Sequence, residues 1–256
     1  MRFFLGTHLP GWLGSLGVPL FVSHRRLAPM HGLPRARGPW ALDSGGFSEL
    51  SLYGAWQTTP AGYARAIVRY RDEIGSLAWA APQDWMCEPP ILAKTGRTVG
   101  FHQVATVASV LELRAQLGPL VVPVLQGWQL GDYVACAERY RDQGVDLTAE
   151  PVVGLGSVCR RQGTHTIAAI VTELAGYGIA LHGFGIKTQG LGVYARHLVS
   201  ADSMAWSYNA RRQPPLPGCT HRSCANCPRW ALCWRDRVLR RAATQQLSLL
   251  DARSAA

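Results

Sequence analysis

Four cysteines near the C-terminus have spacings that suit a bound metal ion. They form the run Cys219-x4-Cys224-x2-Cys227-x5-Cys233, and His221 lies inside the run as an alternative ligand. Thiolates this close together in a chain without a secretory signal bind metals more often than they form disulfides. Four sulfur ligands suit a closed tetrahedral zinc site, which is structural because no position is left for water. We therefore predict a structural Zn²⁺ ion, with an iron–sulfur cluster as the weaker alternative.

A second group of residues suited to chemistry follows short apolar runs along the chain. The group consists of Asp43, Asp84, Gln126, Gly127, the segment Gly154–Val158, His182 and Asp202. A single Asp at a strand end often only caps the next helix. So many separate strand ends with such residues instead predict a site, because the parallel strands of a barrel end at one mouth.

The residue types indicate what such a mouth could do. Two carboxylates on either side of a sugar carbon are the device of retaining glycosyl transfer, in which one attacks the carbon and the other moves a proton. A further Asp, a Gln amide and exposed glycine backbone can read a purine edge. Guanine offers its N1–H and N2–H₂ groups to a carboxylate and its O6 to N–H donors. These residues favour chemistry at the sugar of a purine nucleotide.

The elements that would position these residues alternate between apolar runs and helical segments. Strands are predicted at Arg2–Gly6, Pro19–Ser23, Trp40–Asp43, Leu77–Ala81, Val121–Gln126, Val152–Leu155, Ile179–Gly183 and Val199–Asp202. Helices are predicted at Thr59–Ile74, Thr98–Leu117, Leu130–Gln143, Gly163–Gly176 and Gly190–Leu198. This alternation indicates an α/β fold, a (β/α)8 TIM-type barrel. A doubly wound sheet is the alternative, although no GxGxxG or Walker loop follows an early strand.

The chain is expected to divide into a barrel, residues 1–210, and a small four-cysteine zinc-binding module. The module begins with the proline-rich linker Arg211–Pro217, and a basic helix is predicted at Trp234–Leu250, so that the module covers residues 211–250. The tail 251–256 is expected to be frayed.

Charge and composition point to a polyanionic partner. The formal net charge is +10, and nine Arg but only two Asp lie from Arg211 onwards. A GC-rich genome explains much of the preference for Arg over Lys, but it does not explain this clustering, which is typical of a nucleic-acid surface. The contact candidates are Arg211, Arg212, Arg222 and Arg229.

No long apolar run or signal peptide is evident, so we expect no membrane span and a cytoplasmic location, in a bacterial cell or a phage-infected host.

At this point the sequence resembles the tRNA-guanine transglycosylase superfamily. It is most similar to the DNA-modifying branch, the DpdA-type 7-deazaguanine DNA transglycosylases. The matching segments are LDSGGF at 42–47, QDWMC at 83–87, VLQGW at 124–128, VGLGSVCRR at 153–161, LHGFGIKT at 181–188, SADSMAWS at 200–207 and the cysteine run. They follow the family's order along the chain.

The resemblance implies roles for particular residues. Asp202 would be the nucleophile on C1′, and Asp43 would be the general acid/base. The purine pocket would be formed by Ser44, Gly45, Asp84, Gln126, Gly127, His182 and the backbone at Gly154 and Leu155. The reaction would exchange guanine in DNA for a 7-deazaguanine such as preQ0, without ATP. A duplex base must be flipped out first, and Trp85, Trp206 and Tyr208 are candidates to stack there.

Departures from the family leave alternatives open. The tRNA enzymes carry three Cys and a distant His, whereas this chain has four clustered Cys, so the ligand set is implied rather than read directly. The same chemistry on tRNA is one alternative function, and a non-catalytic zinc-containing DNA-binding component is another. A metal-dependent barrel hydrolase is disfavoured, because the sequence has no HxH motif. Whether the chain forms a homodimer, as many relatives do, stays open.

Overall fold

Parallel strands make up the whole sheet of this protein. The computed structural model describes residues 1–159, 161, 164–186 and 188–254. Over these ranges the strands are β1 (Arg2–Thr7), β2 (Leu20–Ser23), β3 (Trp40–Asp43), β4 (Leu77–Ala80), β5 (Val124–Leu125), β6 (Val153–Leu155), β7 (Leu181–Gly183) and β8 (Ser200–Ser203). Their order in the sheet is β4-β3-β2-β1-β8-β7-β6-β5. A parallel bridge between Ala80 and Val121 joins the two ends of this order. The predicted (β/α)8 barrel is confirmed.

Helices cover the outside of the barrel. They are α1 (His24–Leu27), α2 (Gly46–Tyr53), α3 (Pro60–Ile74), α4 (Pro89–Thr95), α5 (Val99–Leu117), α6 (Leu130–Asp142), α7 (His165–Gly176), α8 (Thr188–Tyr194), α9 (Ala205–Ala210) and α10 (Pro228–Ser254). The predicted starts at Thr59 and Thr98 are confirmed, because each hydroxyl accepts a hydrogen bond from the backbone N–H three residues on. The predicted start at Gly163 lies outside the described residues.

Four short helices, α1, α2, α4 and α9, were not predicted from the sequence, and α2 and α4 have clear local signals. Helix α4 begins at Pro89-Pro90, a pair that resembles a break but fits the first turn of a helix, where the backbone N–H groups have no partner. Helix α2 follows the Gly45-Gly46 turn and ends at Gly54, and both Gly45 and Gly54 have positive φ. Both helices lie after strand ends, so they shape the mouth of the barrel.

The interior of the barrel has an apolar lower layer and a polar upper layer. The lower layer is a cluster of Phe4, Phe21, Ala41, Trp79, Ala81 and Val122. Side chains alternate along a strand, so the residues two positions after Phe21 and Ala41 face the same interior, nearer the mouth. These residues are Ser23 and Asp43, and both line the cavity at the mouth.

The C-terminal helix packs on the barrel wall. The ring of Trp234 lies 6.0 Å from that of Phe3 on β1, and the indole N–H of Trp230 donates to the carbonyl of Trp206 at 3.2 Å. Helix α10 starts at Pro228, earlier than the predicted Trp234, since proline is favoured in a first turn. It continues into the segment that was expected to be frayed.

None of the helices in the described part of the chain is long and apolar enough to cross a membrane.

Candidate active site and metal centre

Two carboxylates, Asp43 and Asp202, line one cavity at the mouth of the barrel. The cavity has a volume of about 590 Å³ and is formed at the carboxyl ends of the strands. Asp43 is the last residue of β3 and Asp202 lies in β8, and β2 and β1 separate these two strands in the sheet. The carboxylates therefore reach the cavity from different strands, as the sequence predicted.

Asp43 has the environment of a group that can hold a proton. Burial raises the pKa of the Asp43 carboxyl, and the nearby charge of Asp202 raises it further. Hydrogen bonds from the N–H of Gly45, at 3.1 Å, and from Ser23 oppose this rise. The balance of these effects is a raised pKa, because desolvation is the largest of them.

Asp202 is held in place from below. Its Oδ1 atom accepts a hydrogen bond from the N–H of Gly185 at 2.9 Å and lies 3.3 Å from Nε2 of His182. Nδ1 of His182 lies 2.8 Å from the hydroxyl of Ser200. The imidazole is fully buried among aromatic rings, and it does not line the cavity. His182 was predicted to bind substrate, but its position is that of a residue that orients Asp202.

A second polar group occupies the opposite side of the cavity. Oδ2 of Asp84 accepts a hydrogen bond from Nε2 of Gln126 at 2.6 Å, and Oδ1 of Asp84 lies 3.4 Å from the hydroxyl of Ser44. Burial raises the pKa of Asp84 to about 7, and the charges of Asp43 and Glu88 add to this effect, while the hydrogen bond from Gln126 opposes it. Asp84 and Gln126 line the cavity as predicted.

Several residues predicted for the purine pocket do not line the cavity. These residues are Ser44, Gly45, Gly127, Gly154, Leu155 and His182. Ser44 and Gly45 instead contact the carboxylates of Asp84 and Asp43 through hydrogen bonds. Gly127 lies against the start of α6, where a Cβ atom would come within 2.8 Å of Asp132.

The motif VGLGS contributes a different glycine from the one predicted. The side chain of Leu155 is fully buried in the main core, and Gly154 packs below the mouth against the ring of Phe184. Gly156 lines the cavity, and a Cβ atom there would overlap the amide of Gln126.

Other cavity residues were missed by sequence reasoning. Ser157 contacts both Gln126 and Glu88, and Arg25 and Arg26 follow the end of β2. The arginines had a usable signal, because they directly follow a predicted strand. Ser157 had the same signal, since it follows the predicted strand Val152–Leu155, but nothing in its local sequence reports that it contacts Glu88 across the barrel.

The rim of the cavity combines positive charge with exposed apolar side chains. Arg25 packs its stem against Gly45, beside Asp43. Phe47 and Met204 are 38% and 47% exposed, although both line the cavity.

Among the stacking candidates, Trp206 is fully buried and is excluded from contact with a substrate. Trp85 packs against Phe101, and the guanidinium of Arg212 covers the ring of Tyr208 at 4.1 Å.

A compact group of potential metal ligands lies in the loop before α10. The ligand atoms of Cys219, His221, Cys224 and Cys227 all lie within 4.8 Å of one another. The Sγ atoms of Cys219 and Cys227 are 4.0 Å apart, and Nε2 of His221 lies 3.1 Å from Sγ of Cys224. Three thiolates and one imidazole, at these separations, fit the tetrahedral coordination that Zn²⁺ prefers.

Cys233, which was predicted as a metal ligand, lies outside this group. Cys233 is exposed and lies on α10, which begins at Pro228. The helix rises about 1.5 Å for each residue, so it carries Cys233 away from the loop that holds the other three cysteines. His221, the alternative ligand within the run, supplies the fourth potential ligand atom of the group.

The predicted nucleic-acid contacts are exposed in and around this loop. Arg211, Arg212, Arg222 and Arg229 are all solvent-accessible. Arg229 also approaches the cluster, since its Nη1 lies 3.8 Å from Sγ of Cys219 and its Nη2 lies 3.4 Å from the carbonyl of Pro217. It is therefore placed to stabilise the thiolate of Cys219 as well as to meet a polyanion.

The fold and the site together define the class of this protein: a (β/α)8 barrel with paired carboxylates at its carboxyl mouth and a thiolate-rich cluster in its C-terminal segment. Comparison with known families then gives the particular family. The model of the DpdA family, described as DeoxyPurine in DNA protein A, matches residues 1–255, and the chain belongs to this family. No curated protein matches the chain.

Proposed function

We propose that this protein replaces guanine in DNA with a 7-deazaguanine such as preQ0, by base exchange at C1′ of the nucleotide. The observation that carries the proposal is the pairing of Asp43 and Asp202 in one cavity with the purine-reading pair Asp84 and Gln126. The family name, which refers to a deoxypurine in DNA, supports DNA over tRNA as the substrate.

Asp202 is the nucleophile in this proposal. A carboxylate oxygen attacks C1′ and the bond from C1′ to N9 of guanine breaks, which leaves a glycosyl ester on Asp202. The N–H of Gly185 and the ring of His182 hold Oδ1, so Oδ2 is the atom that attacks. N9 of the incoming base then attacks C1′ and displaces Asp202. One glycosidic bond is broken and one is formed, so no ATP is needed.

Asp43 moves the proton that accompanies the exchange. The departing guanine must gain a proton, and the incoming 7-deazaguanine must lose one from N9. Burial raises the pKa of Asp43, so this carboxyl can hold a proton and then give and take it during the exchange. The two carboxylates thus differ in environment as their different roles require.

The purine lies against Asp84 and Gln126. An ionised Asp84 accepts hydrogen bonds from N1–H and N2–H₂ of guanine, and the amide NH₂ of Gln126 donates to O6. A 7-deazaguanine carries the same donors and acceptor on this edge, so one pocket serves both the leaving and the entering base. Adenine presents the reverse pattern at positions 1 and 6 and is excluded.

The rim receives the DNA backbone. Arg25 and Arg26 are placed to contact phosphates that flank the target nucleotide. Met204 and Phe47 are exposed apolar side chains that can occupy the space left when the target base leaves the duplex. The exposed arginines near the C-terminal cluster extend this surface beyond the barrel.

A structural zinc ion completes the proposal. Cys219, His221, Cys224 and Cys227 would hold it, and the ion would supply folding free energy rather than chemistry, because the protein fills all four positions. Asn226, inside this loop, hydrogen-bonds to His8 at the cavity. The ion would thereby stabilise one edge of the mouth.

Incorporation of a labelled base tests the proposal. Labelled guanine or preQ0 is offered with duplex DNA and, separately, with tRNA. We expect label in DNA and a covalent protein–DNA adduct on a denaturing gel, and Asp202→Ala should abolish both. Asp142→Ala, which removes an exposed carboxylate at the end of α6, is the matched control and should stay active. Label in tRNA alone, or exchange retained in Asp202→Ala, would contradict the proposal.

A further inference from the structure

We propose that Ser157 is a positioning residue that orients the amide of Gln126 and so selects the guanine edge. The inference rests on the proposed function, because it concerns the same purine pocket, but Ser157 itself touches the base only through Gln126. Its hydroxyl lies 2.7 Å from Oε1 of Gln126, and both side chains are buried.

The backbone at Ser157 is held in an uncommon conformation. Its φ is +56°, in the left-handed region that residues with a Cβ atom adopt infrequently. The N–H of Cys87 donates to the Ser157 hydroxyl oxygen at 2.8 Å, across the barrel from a different loop. Strained residues that the surroundings hold firmly are concentrated at functional sites. Here the strain places one hydroxyl against one amide.

The amide of Gln126 has two orientations of similar shape, and its partners decide between them. A hydroxyl that donates to Oε1 requires the NH₂ group to face Asp84, and Nε2 does lie 2.6 Å from Oδ2 of Asp84. The second hydrogen of this NH₂ group is then available to O6 of the purine. Gly156 leaves the room for this arrangement, because any side chain there would overlap the amide.

The Ser157 hydroxyl has a second potential acceptor, the carboxylate of Glu88. Oε2 of Glu88 also lies 2.9 Å from the Ser157 hydroxyl, so Glu88 competes with Oε1 of Gln126 for the one hydrogen that the hydroxyl can donate. With the Cys87 N–H on one lone pair, the hydroxyl connects three separate loops at the base of the purine pocket. Without this hydroxyl the orientation of the Gln126 amide depends on its hydrogen bond to Asp84 alone, and a turned amide would point Oε1 at both Asp84 and the purine O6.

The variant Ser157→Gly tests the inference cleanly. Glycine accepts a positive φ without strain, so the change removes the hydroxyl while residue 157 keeps its backbone conformation, and the Cys87 N–H loses its acceptor. The binding of two free bases is measured: guanine, and 6-thioguanine, which keeps the N1–H and 2-amino donors but replaces O6 by a weakly accepting sulfur. We expect Ser157→Gly to weaken guanine binding about tenfold and 6-thioguanine binding by much less.

A matched control exists elsewhere in the chain. Ser76 is also a non-glycine residue with positive φ, +54°, and it lies between α3 and β4, away from the cavity. Ser76→Gly should leave the affinity for both bases unchanged. Equal losses for both bases in Ser157→Gly, or no loss for guanine, would overturn the inference. If the unaltered protein binds neither base, the proposed function itself fails, so the two failures are distinguishable.

Discussion

Nε2 of His8 lies 2.8 Å from Oδ1 of Asn226, and this contact joins the cavity to the metal-ligand loop. His8 lines the cavity, its ring stacks on that of Trp206 at 6.0 Å, and Asn226 lies between Cys224 and Cys227. The loop that holds the ligands is therefore in direct contact with the residues around the carboxylates. Changes in the loop are expected to reach the site through this contact.

The ligand set predicts opposite behaviour for two cysteines on either side of the start of α10. Cys227→Ser removes a ligand and should abolish the bound zinc, and we expect Tm to fall by more than about 5 °C, because zinc modules draw much of their folding free energy from the ion. Zinc content by atomic absorption and thermal unfolding check this. Cys233→Ser alters an exposed thiol outside the cluster and should keep both values. If Cys233→Ser loses its zinc, the fourth ligand is Cys233 rather than His221.

The pKa of Asp84, raised to about 7, predicts a pH dependence of stability. Since the unfolded value is 3.8, the protonated form favours folding, and this contribution is lost as the pH rises from about 4 to about 7. A shift of this size corresponds to a loss on the order of 4 kcal/mol in the free energy of unfolding. In Asp84→Asn this part of the pH dependence should vanish. Urea unfolding at about pH 4 and about pH 8 measures it.

The same ionisation predicts the opposite trend for base binding. Guanine needs the charged form of Asp84, so its affinity should rise as the pH increases through about 7. Calorimetric titration of guanine across this range gives the trend, and Asp84→Asn should bind weakly at every pH. Guanine affinity that stays flat between about pH 6 and about pH 8 would mean that Asp84 does not read the base.

Arg25 is expected to contact a backbone phosphate of the DNA. Arg25→Ala should weaken binding to all DNA sequences similarly and lower the slope of log K against log salt by about 1. Fluorescence anisotropy at several salt concentrations measures the slope. Arg141→Ala, an exposed arginine on the outer helix α6, has the same change in charge and should leave the slope unaltered.

Met204 is expected to fill the gap in the flipped duplex. Met204→Ala should lower exchange on paired DNA by about tenfold, because unstacking a base costs a few kcal/mol that an inserted side chain offsets. A target guanine that lies opposite an abasic position costs less free energy to flip out. On this substrate, the exchange activity of Met204→Ala should approach that of the unaltered protein. Val193→Ala, at an exposed position on α8, is the control. Equal defects on both substrates would argue against insertion.

Local sequence patterns were sufficient to predict the barrel. Each predicted strand has an observed counterpart, because alternating apolar runs and helices leave few arrangements that bury every run. Thr59 and Thr98 set their helix starts through contacts within four residues, which a sequence displays directly. Asp43, Asp84, Gln126 and Asp202 could be placed at one mouth because parallel strands share a direction.

The tertiary structure decided which neighbours meet across that mouth. Ser157 contacts Glu88, Gln126 and the backbone of Cys87, which are distant in the chain, so no local pattern reports them. The same holds for the metal ligands. The sequence alone determined that a cluster exists between Cys219 and Cys233, since the spacing is local. That His221 belongs to it and Cys233 does not depended on where α10 begins, because the direction of a helix decides which thiols it carries away.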